Sequence, residues 1–104
     1  MFLLSLFGNH RIYSTQQLAE QNASTWLRKF VIDNHWLWGK GGSDGGITAE
    51  YRKQFEAYFQ REDFAGCVRV WNTYAKDILR SNYPYYNGTI TVVIKDMKVD
   101  ERFI

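Results

Sequence analysis

The hydrophobic pattern of this chain changes period twice, strand-like at both ends and helix-like between, and that limits the fold more than any other feature. Residues 2–7 have strand length, and both alternating sets are apolar: Phe2, Leu4 and Leu6 on one side, Leu3 and Phe7 on the other. This predicts a strand buried on both faces. Gly8-Asn9 is a two-residue turn signal, with residues 10–13 as the return strand. Near the other end, Asn87-Gly88 marks a hairpin turn before residues 89–95, which are rich in β-branched types. Ile90, Val92 and Ile94 would face the core. Met97 and Val99 fall out of phase with Ile94, which predicts a bulge or turn near Asp96.

Three helices are expected in the middle. Ser14 and Gln17 fit a capping box, opening a helix from Thr15 to about Asn34 with Leu18, Ala19, Ala23, Trp26, Leu27, Phe30 and Val31 on one face. Residues 39–46 hold five of the eight glycines and predict a flexible loop. Thr48 can cap a second helix whose aromatic face is Tyr51, Phe55, Tyr58 and Phe59. Asp63 caps a third, from Phe64 to about Ser81, with the stripe Phe64, Cys67, Val68, Trp71, Ala75, Ile78 and Leu79. Asn82 and Pro84 end it. Joining the terminal strand regions into one antiparallel sheet, with the helices on one face, gives a two-layer α+β domain of order β-β-α-α-α-β-β over all 104 residues.

A net charge of +2 with interspersed acids and bases argues against a DNA mimic and gives no strong footprint for nucleic acid or anionic membrane. Cys67 is the one cysteine, so no internal disulfide forms and a reducing, cytoplasmic setting is expected. The apolar residues 1–7 lack a basic start and end too soon for a signal peptide or membrane span.

Little in the sequence carries chemistry. The glycine run with Lys40 invites a phosphate-binding reading, but no Gly-Lys-Ser/Thr opens a helix, and a surface loop is the plainer account. His10, His35 and Cys67 share no metal-ligand spacing, so neither metal nor cofactor is expected. Cys67 lies on an apolar stripe and reads as a buried, inert thiol. Arg28, Lys29, Arg69, Lys76 and Arg80 could form a basic helical face for nucleic acid; a solvated surface of mixed charge is the plainer account.

The aromatics carry the remaining signal: four Trp, seven Tyr and seven Phe, more than a core of this size needs. Trp36, Leu37 and Trp38 are too close in sequence to be buried together on one face. Val70 and Tyr74 fall off the stripe of the third helix, and Tyr85 and Tyr86 flank a turn. Such residues either seal the edge of the core or form a contact patch of hot-spot composition. The patch would be Trp36, Trp38, Lys40, Tyr74, Tyr85 and Tyr86.

The leading expectation is a non-catalytic protein-binding module, with a homodimer compatible. In size and style, and by no motif, the chain resembles small phage- or mobile-element-encoded inhibitors such as anti-CRISPR proteins. That resemblance implies a stoichiometric inhibitor occluding a host protein or nucleoprotein complex and assigns no residue a role. The alternatives are a nucleic-acid binder using the basic helical face, and a small-ligand protein or small enzyme using the glycine loop with Lys40 and Asp44.

Overall fold

The structure, a computed structural model, describes residues 1–29, 45–79 and 91–97. Strand β1 (Phe2–Leu6) turns back into β2 (Asn9–Tyr13) as an antiparallel hairpin, with Leu6 opposite Asn9. The turn residues are therefore Phe7 and Gly8, one position earlier than the Gly8-Asn9 signal suggests. Both have positive φ, 52° and 77°, as a primed hairpin turn requires. Phe7 is held in this unfavourable backbone region by its ring, whose centroid lies 5.2 Å from Trp26 and 6.2 Å from Trp71.

Strand β3 (Val93–Asp96) pairs antiparallel with the other side of β1, giving the sheet order β2-β1-β3. The strand regions from both ends of the chain thus meet in one sheet, as expected. The described helices cover only one of its faces, however. Leu4 and Leu6 are buried, while Leu3 and Ser5 on the other face are half-buried, so burial of β1 is deeper on one side than on the other.

Helix α1 spans Gln16–Leu27. Its N-cap is Thr15 rather than Ser14: Thr15 has extended backbone angles, and its hydroxyl oxygen accepts from the Leu18 N–H at 3.1 Å. Helix α2 spans Gly45–Gln60, so Gly45 and Gly46 belong to a helix rather than the loop, and Thr48 lies inside it rather than capping it. Each added helical residue gains a backbone hydrogen bond, which offsets a glycine penalty of about 1 kcal/mol. Residues 39–44 lie outside the described ones, as do the first helix beyond residue 29 and the Asn82, Pro84 and Asn87-Gly88 signals.

Helix α3 spans Phe64–Tyr74 and continues as a wider π-helical segment, Ala75–Leu79. Asp63 caps it as predicted, its carboxylate accepting from the Gly66 N–H at 3.0 Å. α3 packs between α1 and α2, so it is buried on more than one side. Cys67, Trp71 and Ala75 from the predicted stripe are buried, and so are Val70 and Tyr74 from beside it. Phe55, the centre of the aromatic face of α2, is fully enclosed, with Tyr51, Tyr58 and Phe59 packed round the core.

Asn72 ties the two layers together. Its side-chain amide donates to the Val92 carbonyl at 3.0 Å, and its amide oxygen accepts from the Val92 N–H at 2.7 Å. A side chain on α3 thereby satisfies both backbone groups of a buried residue at the entrance to β3. The result is a two-layer α+β fold of order β-β-α-α-α-β among the described residues; the further C-terminal strand expected from the sequence lies outside them.

Candidate functional site

Strand alternation and register sort the side chains of the sheet onto two faces. Leu4, Leu6, Asn9, Arg11 and Tyr13 share the helix-covered face. Leu3, Ser5, His10, Ile12, Val93 and Lys95 share the outer one. Each face carries one notable surface.

The outer face carries exposed apolar side chains among polar ones. Ile12 is 54% exposed and Val93 45%. Carrying the β1–β3 register one step further sets Met1 opposite Met97, whose N–H donates to the Met1 carbonyl at 2.7 Å; the two are 56% and 42% exposed. Among the described residues, the large exposed hydrophobics are these four and Leu18 on α1, so the sheet face holds all but one. Lys95 stands directly opposite Leu3 within the patch. Ser5 and His10, a cross-strand pair, are joined through Ser5 Oγ and His10 Nδ1 at 2.8 Å. No carboxylate occupies an outward position in the paired registers.

On the helix-covered face a half-open groove of about 530 Å3 lies between β2 and α1. Its floor is Leu4, Leu6 and Ala23, and Tyr13 and Trp26 line its sides. Arg11 and Lys29 bring positive charge, and Asn9, Asn22 and Thr25 bring polar groups. α1 presents small side chains to it, Asn22, Ala23 and Thr25, beside the larger Trp26 and Lys29.

Cys67 is fully enclosed. Its thiol donates toward the Phe55 carbonyl at 3.7 Å, and burial pushes it up from 9.0 to about 11, with the Ser24 hydroxyl acting in the opposite sense. It has the environment of an inert thiol.

Of the residues singled out from the sequence, the described ones do not come together. Tyr74 is enclosed in the core, 1% exposed, its ring 5.5 Å from Tyr51 and 5.8 Å from Trp71, so it is not a surface contact. Trp36, Trp38, Lys40, Tyr85 and Tyr86 lie outside the described residues. In the basic set, Arg28 turns to α2, bonding Glu56 at 3.1 Å and lying 4.8 Å over the Phe59 ring, whereas Lys29 lines the groove. Arg69 lies 5.7 Å over the Tyr58 ring, Lys76 is exposed, and Arg80 lies outside the described residues. Arg28 and Lys29 thus do not share a face.

Ile12, Val93, Met1, Met97 and Arg11 are not among the site residues expected from the sequence. The signal was the out-of-phase set along residues 10–13 and 89–95, which the doubly apolar pattern of β1 hid by suggesting cover on both sides. Among the described residues, no three His, Cys, Asp or Glu side chains gather as metal ligands, and no helix is long and apolar enough to cross a membrane. Comparison with protein-family models, with curated proteins and with solved structures finds no match to this chain.

Proposed function

We propose that this is a non-catalytic protein-binding domain whose contact surface is the outer face of the sheet. One observation carries the reading: among the described residues, Met1, Ile12, Val93 and Met97 expose apolar side chains on the face of the sheet that the described helices leave uncovered. Exposed apolar side chains gathered on one face of a protein favour an interaction site there. The partner is a different protein, presenting an apolar surface with a carboxylate to meet Lys95. A second copy packed face to face about a two-fold axis would bring two Lys95 ammonium groups toward one dry interface, which is costly. A stoichiometric inhibitor that occludes a host protein or nucleoprotein complex is the form of this function that the small size and the sequence resemblance support.

Two measurements test it. Sedimentation of the purified chain should give a monomer, and the protein retained by a tagged copy from native-host lysate at high salt should be lost with the double variant Ile12→Asp, Val93→Asp. A dimer that this variant dissociates would make the occupant a second copy. Retention unchanged by the variant would remove the sheet face from the interface.

A further inference from the structure

We infer that the groove between β2 and α1 is a separate binding site for a small planar anion, a flat ring carrying a phosphate or carboxylate. Size, charge and shape point the same way. A volume of about 530 Å3 lies within the range of small-ligand sites. Among the described residues, the ionised side chains in its lining are cations, Arg11 and Lys29, and no carboxylate shares it. Arg11 is exposed and forms no ion pair among the described residues, so its guanidinium fork is available to grip two oxygens of one anionic group. A simple solvated cation would need nothing further, but this one stands beside Tyr13 and Trp26 above a floor of aliphatic side chains. Aromatic sides over an apolar floor suit a flat ring, and Asn9, Asn22 and Thr25 can orient its polar edges. A nucleoside monophosphate has the right size and both chemical features.

The site is independent of the proposed protein contact, because Arg11 and Ile12 are neighbours on β2 and point to opposite faces of the sheet. Substitutions can therefore separate the two.

The test is titration calorimetry of the full chain with adenosine monophosphate and with adenosine at physiological salt. Saturable one-to-one binding of the monophosphate is expected, at least tenfold weaker for adenosine. Arg11→Gln should weaken it at least tenfold with an unchanged circular dichroism spectrum, and Lys29→Gln should weaken it independently. The variant Ile12→Asp, Val93→Asp should bind as the parent does. No heat and no chemical-shift change at millimolar monophosphate would overturn the proposal. So would equal affinity of the parent and both cation variants. Binding of an oligonucleotide with a steep salt dependence, and none of the mononucleotide, would also overturn it in favour of a strand-binding surface.

Discussion

Enclosure of Cys67 against Phe55 favours the protonated thiol in the folded state, and this has a consequence for stability in alkali. Below pH 9.0 the thiol is protonated in folded and unfolded chains alike, and its contribution is constant. Between 9.0 and about 11 only the unfolded chain loses the proton, so stability falls with rising pH by up to about 1.4 kcal/mol per unit. Tyrosines and lysines titrate in the same range, so the comparison is with Cys67→Ala. The stability difference between parent and variant should narrow across that window, measured by chemical denaturation at successive pH values; parallel curves would mean that the thiol is accessible. A thiol reagent at pH 8 should react only as the chain unfolds.

The corner between α2 and α3 shows how an element boundary is built. The Asp63 N–H donates to the Tyr58 carbonyl at 2.9 Å, and the Glu62 N–H to the Phe59 carbonyl at 3.0 Å, the paired bonds of a Schellman ending. Glu62 occupies its left-handed position, with φ 57°, where glycine is usual. Asp63 then serves at once as the last residue of this ending and as the N-cap of α3. Glu62→Gly should stabilise the protein by about 0.5 kcal/mol, because the left-handed penalty of about 1 kcal/mol exceeds the extra chain entropy that glycine loses. Thermal unfolding reads this directly, and a lower melting temperature would contradict it. The clamp between α3 and β3 should respond more strongly. Asn72→Ala strands the N–H and carbonyl of buried Val92 and should cost about 2 kcal/mol. Hydrogen exchange should show faster exchange along β3 than along α2. A uniform change in both would place the clamp outside the docking of β3.

At the scale of the molecule, the sheet has two surfaces of opposite kind, one apolar and one cationic. Because Ile12 and Val93 are exposed, Ile12→Asp with Val93→Asp should change unfolding free energy by less than about 1 kcal/mol while abolishing partner retention. Loss of the fold would instead show that the outer face is covered in the native protein. Arg11→Gln should leave partner retention intact. The pair of results would assign each surface its own ligand.

Hydrophobic period determined the α+β class and much of the inward stripe of α3, and local chemistry determined the Asp63 cap, because each depends on a repeat or on neighbours in sequence. The tertiary structure decided what depends on neighbours distant in sequence. Phe7 enters the turn because Trp26 and Trp71 hold its ring, Val70 and Tyr74 are buried because α3 lies between two helices, and Arg28 is taken from the basic set by Glu56. Neither surface was legible beforehand. A strand with apolar residues on both sides does not say which side the helices will cover, and the groove is built by residues of β1, β2 and α1 that only the fold brings together.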